Sequence, residues 1–170
     1  MKIKLWEVIL LILFGGIMFT SKLLMEWLPN IHLLAMFIAL FTLLFRWKAL
    51  ISIYTFVFVT GVYGGFSPWW FQYLYIWTVL WAVIMLLPKK MPPNIMAIAC
   101  IIICGLHGFA FGTLGALSEA VIRGFTLEAT KTYILMGLPF DLIHGISNMI
   151  VATLVVPLYI PLKKALAKYK

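Results

Sequence analysis

The chain is 170 residues long, 65% hydrophobic and 11% charged, with a formal net charge of +8 and a mean hydropathy of +1.10. A soluble domain of this size is about half apolar and a quarter charged, which argues against a soluble enzyme, a disordered chain and a nucleic-acid binder. The basic residues sit at the ends of apolar runs, where a bilayer sorts them, and the two cysteines are too few for a disulfide framework.

A helix needs roughly 17–25 residues to cross about 30 Å of hydrocarbon, and six apolar stretches meet or approach that length. The first, 5–25, has no small-residue cleavage site and is expected to be a permanent span. It carries Gly15, Gly16 and Thr20. Gly16 and Thr20 form a small-xxx-small pair that allows close helix approach, as internal packing or as a docking surface for another membrane protein. The second and third stretches, 31–45 and 49–62, are short. They read as two spans or as one hairpin dipping into the membrane, and Arg46 and Lys48 between them, costly inside hydrocarbon, favour two. His32, at the start of the second, is expected to satisfy a helix end.

The fourth stretch, 70–87, is entered through a dense aromatic segment, Tyr63-Gly-Gly-Phe-Ser-Pro-Trp-Trp-Phe-Gln-Tyr-Leu-Tyr-Ile-Trp77. That segment reads as an interfacial belt or as a pocket wall or lid. Trp70, Trp77 and Trp81 recur at helical spacing and share one face, suited to stacking a planar ligand or to packing on a neighbouring helix. The fifth, 95–117, places Cys100, Cys104 and His107 at i, i+4 and i+7; structural packing is expected rather than a soft-metal site. Segment 118–131 mixes Glu119, Arg123, Glu128 and Lys131 with apolar residues and reads as an amphipathic outer connection, either a solvated loop or a lid whose charges reach a polar substrate. The sixth, 138–162, opens with Asp141, His144 and Asn148 on one helix face. They form a ligand-facing polar wall or a helix–helix hydrogen-bond cluster, with Asp141 also favoured near a helix N-terminus. Asp141 has Arg123 and Lys131 as possible partners.

In lipid the backbone must satisfy its own hydrogen bonds, so helices are the default, and no period-two alternation points to a barrel. The expected fold is all-α: one integral membrane domain over 1–170, a bundle of six transmembrane helices with both termini on one side. That side would carry Lys2, Lys4, Arg46, Lys48, Lys89, Lys90, Lys163, Lys164, Lys168 and Lys170, against Lys22, Arg123 and Lys131 on the other. Ten cations against three make the first side cytoplasmic. Glu26, Glu119, Glu128 and Asp141 sort to the outer side and Glu7 to the inner.

No phosphate-binding glycine loop, nucleophile elbow or zinc-protease helix is present, so ATP hydrolysis by this chain alone is not expected. The length, the six-span layout and two motifs resemble the substrate-binding S component of energy-coupling factor (ECF) vitamin transporters. The motifs are Leu28-Pro-Asn-Ile-His-Leu-Leu34 and Gly137-Leu-Pro-Phe-Asp-Leu-Ile-His-Gly-Ile-Ser-Asn148, and Tyr73-Leu-Tyr-Ile-Trp77 fits beside them. The resemblance implies a non-enzymatic subunit of a prokaryotic plasma membrane, without metal or cofactor. It would capture a water-soluble vitamin or precursor from outside and dock on a transmembrane coupling subunit driven by two ATPase subunits. It assigns ligand contact to Asp141, His144 and Asn148, with Trp69, Trp70, Tyr73 and Trp77 as stacking or lid residues. Gly64 and Gly65 would let the lid loop move, and Gly15, Gly16 and Thr20 stand where the family carries an alanine pair for docking.

Among family substrates the aromatic wall, single acid and histidine favour a cobalamin-type corrinoid, with pyridoxine, a thiamine precursor or pantothenate as alternatives. Two other classes stay open: an integral membrane enzyme using His107, His144 and Asp141 for acid–base work, and an assembly subunit with no ligand. The topology makes a direct prediction. With Cys100 and Cys104 replaced by alanine, cysteines introduced at Trp69 and at Lys170 should label from opposite sides of the membrane; labelling from one side overturns the six-span arrangement.

Overall fold

Backbone polar groups surrounded by apolar side chains must bond to one another, and helices do this within one segment. The computed structural model describes residues 3–168, and among these no strand occurs. The helices are α1 (Leu5–Leu24), α2 (Leu34–Phe45), α3 (Ala49–Gly64), α4 (Pro68–Phe71), α5 (Tyr73–Met85), α6 (Pro93–Phe109), α7 (Phe111–Arg123), α8 (Leu127–Ala152) and α9 (Val155–Ala167), with a 3-10 turn over Arg46–Lys48 joining α2 to α3. Four helical stretches are long and apolar enough to cross a membrane: Leu5–Leu24, Leu34–Gly64, Pro93–Arg123 and Leu127–Ala152.

Side-chain contacts fix the helix directions. Glu7 meets Lys48, the Leu11 carbonyl accepts from Ser52 Oγ at 2.8 Å, and the Phe19 ring meets Tyr63, so α1 and α3 run the same way. Tyr54 Oη reaches the Leu74 carbonyl and Trp70 Nε1 donates to the Val57 carbonyl, so α5 runs against α3. His32 lies beside Trp77 and Arg46 beside Met85, so α2 runs with α5. The chain therefore reverses at Arg46, and the stretch Leu34–Gly64 is a hairpin rather than one long helix. On the other side of the bundle, Gly105 and Gly108 of α6 oppose Met149 and Gly145 of α8, an antiparallel pair.

The reversal is held from two sides. Arg46 sits at φ +56°, a region unfavourable for a side-chain-bearing residue. Its guanidinium donates to the Met85 and Leu87 carbonyls at 2.5 and 3.3 Å, and its own carbonyl accepts from Trp81 Nε1 at 3.3 Å. These bonds satisfy carbonyls that the end of α5 leaves without helical partners. Lys48 Nζ meets both carboxylate oxygens of Glu7 at 2.7 Å, each side chain about one-tenth exposed. The short α2 (12 residues, about 18 Å long) is thereby held between its neighbours, and its Leu34, Ile38, Ala39 and Phe41 lie in the core.

Element boundaries depart from the sequence expectation in five places. The stretch 95–117 is not one helix: it breaks at Ala110 into α6 and α7. The cause is Asp141, whose carboxylate takes the Gly112 N–H at 2.8 Å, a donor that an unbroken helix would give to the Gly108 carbonyl. The connection 118–131 is largely helical. It forms the end of α7, a turn at Gly124 (φ +64°) and the start of α8, where Thr126 Oγ1 accepts from the Ala129 N–H. The sixth stretch, expected from 138, belongs to a helix that begins at Leu127, so Pro139 lies inside α8. The end of that stretch is also divided, at Thr153–Leu154, because Pro157 has no N–H for the Thr153 carbonyl. The fourth stretch is interrupted at Gln72, between α4 and α5.

The bundle turns apolar side chains outward. Ile98, Ile102 and Leu106 of α6 and Leu142, Ile146 and Ile150 of α8 recur every four residues and are each about half exposed or more. Exposed apolar stripes of this extent are covered by lipid or protein rather than water, which is compatible with a membrane protein. The inner contact of α6 with α8 depends on missing side chains: a Cβ on Gly108 would stand 2.7 Å from the Gly145 Cα and 2.8 Å from its nitrogen. Backbone atoms cannot move aside locally, so Gly108→Leu should separate the helices and lower stability by about 1–3 kcal/mol, the usual range for overpacking. A thermal melt of the detergent-solubilised variant checks this; an unchanged midpoint overturns the close contact.

Candidate functional site

The glycine contact between α6 and α8 brings their polar residues to the middle of one end of the bundle. His144 and Asn148 point inward from α8 and His107 from α6, all buried. Ser147 Oγ lies 3.0 Å from the carbonyls of both His144 and Asn30. This contact fixes the connection ahead of α2, where Asn30 adopts φ +61°, against α8. His32 is thereby set edge-on to His144, ring centroids 4.8 Å apart. Trp77 of α5, fully buried, completes the group: its ring lies 6.0 Å from His32, 5.8 Å from His107 and 5.4 Å from Phe111, which in turn contacts His144 at 4.6 Å.

All three histidines of the chain therefore meet around one tryptophan. Asp141 stands one turn above His144, its Oδ1 accepting from Gly112 at the first turn of α7. Asp141 thus serves the N-terminus of α7, where negative charge is favoured, and not that of its own helix, which begins much earlier. Neither cation considered for it is its partner: Arg123 pairs with Glu119, and Lys131 with Glu128 at 2.9 Å, each within its own helix. The charges of 118–131 are thus engaged locally and do not reach the buried group.

Most buried polar atoms in proteins carry a hydrogen bond; here eight do not: His32 Nδ1, Trp77 Nε1, His107 Nδ1, Asp141 Oδ2, both ring nitrogens of His144, and Asn148 Oδ1 and Nδ2. His107 Nε2 lies 3.0 Å from the Ile76 carbonyl. A carbonyl only accepts, so Nε2 carries the hydrogen and Nδ1 of the neutral ring is left as an acceptor. Asn148 offers both a donor and an acceptor, Trp77 a donor and Asp141 an acceptor. Leaving such groups without partners costs about 1–3 kcal/mol each. The arrangement suits a flat molecule with donors and acceptors around its edge, held between aromatic rings.

The remaining predicted residues fall in three places. Trp69, Tyr73 and Gly64 line a cavity of about 250 Å³ together with Lys22, Glu26 and Thr60. Tyr73 joins this cavity to the buried group, its ring 5.5 Å from Trp69 and 5.6 Å from Trp77. Trp70 lies apart, donating to the Val57 carbonyl and edge-on to Phe66; with Trp81 bound to Arg46, the tryptophan stripe largely packs helix on helix. Gly65, at φ +83°, ends α3 in a conformation few other residues adopt. In α1, Gly15 faces α3, where a Cβ would stand 2.7 Å from the Ser52 carbonyl; Gly16 has open space around it and Thr20 is exposed. The outward small pair is therefore Gly16 and Thr20, without Gly15.

His32, His107 and Phe111 belong to the group, whereas the sequence assigned His32 a helix end to satisfy, assigned His107 structural packing or, in a membrane enzyme, acid–base work, and singled out Phe111 for nothing. The available signal was scarcity: three histidines in a chain this apolar. Cys100 and Cys104 face the core, Cys104 Sγ lying 3.7 Å from the Ala35 carbonyl, and among the described residues no group of His, Cys, Asp and Glu side chains could hold a metal ion. Compared with known families, curated proteins and solved structures, the chain matches none.

A structural role and a ligand role for Asn148 predict opposite signs. Replacing an unsatisfied buried polar group by an apolar one of similar shape is neutral or stabilising. Asn148→Leu should therefore leave the thermal midpoint of the ligand-free protein unchanged or higher; a drop of more than about 1 kcal/mol would mean the amide holds the fold together.

Proposed function

We propose that this chain is a membrane-embedded capture subunit for a small, water-soluble, heterocyclic nutrient, similar in role to the S components of ECF transporters. The carrying observation is the buried group of His32, Trp77, His107, Asp141, His144 and Asn148, whose eight unpartnered atoms form a preorganised set of donors and acceptors. In this reading the chain crosses the bilayer six times with both termini in the cytoplasm of a prokaryotic cell, and the buried group opens outward. Two placements support that orientation. Lys4, Arg46, Lys48, Lys89 and Lys163 surround one cavity at one end, as the positive-inside rule requires of a cytoplasmic face. Lys22 and Glu26 lie at the opposite end, with the aromatic segment.

The cavity beside Trp69 and Tyr73 is the entrance, and Tyr73 stands between it and the buried group. Trp77, Phe111 and Tyr73 stack or edge against the ligand ring; Asn148, His144 and His32 read its polar rim; Asp141 accepts from a ligand N–H or O–H through Oδ2. A vitamin or vitamin precursor has this chemistry, and a cobalamin-type corrinoid stays within the family range. Energy for uptake comes from a coupling subunit and two ATPase subunits, and Gly16 and Thr20 offer α1 a flat face on which the coupling subunit docks.

Small molecules released from protein purified out of its native membrane and identified by mass spectrometry test this reading. A stoichiometric heterocycle is expected, raising the thermal midpoint on re-addition. Its affinity should fall at least tenfold in Asn148→Leu or His144→Phe, as the loss of about 1.4 kcal/mol or more of polar contact requires. Absence of any bound or stabilising small molecule across vitamins and their precursors overturns it.

A further inference from the structure

The end of the bundle opposite the buried group holds two cavities that the capture reading does not use. One, of about 530 Å³, is lined by Lys4, Arg46, Lys48, Lys89 and Lys163 with Trp47, Leu43 and Leu166 among its apolar walls. The other, of about 710 Å³, is lined by Lys90 and Lys164 with Pro93, Val156 and Ile160. They are adjoining, since Lys89, Tyr159 and Lys163 line both.

The charges divide into two sets. Lys48 is neutralised by Glu7, the one acid lining either cavity, and Arg46 is bound to backbone carbonyls. Among the described residues, Lys89, Lys90, Lys163 and Lys164 have no carboxylate within ion-pair distance. Lys163 Nζ lies instead 5.1 Å from the centre of the Tyr159 ring, a cation–π contact that orients the ammonium without neutralising it. With Lys4, which among the described residues likewise has no ion pair, five cations without a carboxylate partner thus surround walls made mainly of carbon. Apolar surface continues outward from the walls, with Ile160 of the second cavity 51% exposed and Leu86, next to Met85 of the first, 82% exposed.

We infer that these two cavities form one site for an anionic phospholipid of the adjoining leaflet, its headgroup phosphate between Lys89 and Lys163 and its acyl chains over the apolar walls and rim. Complementarity of charge selects an anion, and basic pockets between membrane helices recognise anionic headgroups. The carbon walls running out to exposed Leu86 and Ile160 select an amphiphile over a free ion. The site rests on the chain being in a membrane, not on what the opposite end captures. It joins the end of α5, the start of α6 and the end of α9, so an occupied site ties three helices between which, among the described residues, no ion pair occurs.

The full chain purified in neutral detergent, with native mass spectrometry and thermal melts, tests this using phosphatidylglycerol, phosphatidylcholine of the same acyl chains, and inorganic phosphate as probes. Phosphatidylglycerol should be retained and raise the midpoint, and the other two should do neither. Lys89→Ala and Lys163→Ala should each weaken retention about fivefold and together about thirtyfold, as expected for lysines acting on an anionic headgroup. Lys163→Arg should retain the lipid, and Lys168→Ala, at the same end but lining neither cavity, should stay within about twofold of the unaltered chain. Equal stabilisation by phosphatidylcholine, reproduction of the effect by inorganic phosphate, or a loss in Lys168→Ala as large as in Lys89→Ala each overturns the inference. The first outcome would mean plain hydrophobic cover, the second a free-anion site and the third a diffuse basic collar.

Discussion

The approach of α6 to α8 at Gly108 and Gly145 sets the geometry of everything polar in the molecule. With no side chain on either residue, the two backbones lie within a distance that a single Cβ would forbid. Helices gain little from hydrophobic burial when their surroundings are equally apolar, and close packing of small residues is then a main source of adhesion. That contact also has a chemical consequence. It turns His107 and Asn148, each on a helix bearing one of these glycines, into one shared space. It also lets Asp141 reach across to the Gly112 N–H, which breaks the long apolar run and starts α7 as a separate helix. Packing, helix interruption and the polar group are three results of the same missing side chains.

The other half of the bundle is organised by charge. The turn over Arg46–Lys48 is too polar to lie in hydrocarbon, and the structure uses each residue differently: Arg46 binds the final carbonyls of α5, and Lys48 binds Glu7 of α1. Three helices are thereby gathered at one level, and the short α2 is seated among them. The strained backbone of Arg46 is tolerated because the bonds on both sides of it over-determine its position.

The two ends differ in how their polar groups are treated. At the basic end the lysines other than Lys48 are exposed and face cavities with carbon walls. At the far end His107, His144, Asn148 and Asp141 are buried, His32 is half-buried, and aromatic rings lie against the histidines. A charged rim and an aromatic-shielded core answer different chemistries. In the readings proposed above, the first suits an anion at a surface, and the second suits a ligand whose hydrogen-bonding pattern matches fixed donors and acceptors. The aromatic series Trp69, Tyr73 and Trp77 is the structural link between the cavity beside Lys22 and Glu26 and that core.

The sequence by itself determined the class of the molecule: all-helical, apolar on its outer faces, with its cations gathered toward chain ends and turns. Composition and the sorting of charge suffice for that, because transfer of polar groups into hydrocarbon is penalised wherever they fall. It also placed Asp141, His144 and Asn148 on one helix face, since spacing along a single helix is a local property. Tertiary structure decided the rest. The sixth stretch read as starting at 138 and proved to belong to a helix that begins at Leu127, because the preceding segment packs on α7 and remains helical. Segment 118–131 read as a connection because its charges look solvated, yet they pair within each helix. His32 and His107 lie far from His144 in the chain, and no periodicity joins residues of different helices. Only the crossing at Gly108 and Gly145, together with Ser147 at the Asn30 carbonyl, brings the three rings to one place, because glycine-to-glycine contact is a property of two surfaces that neither segment encodes alone.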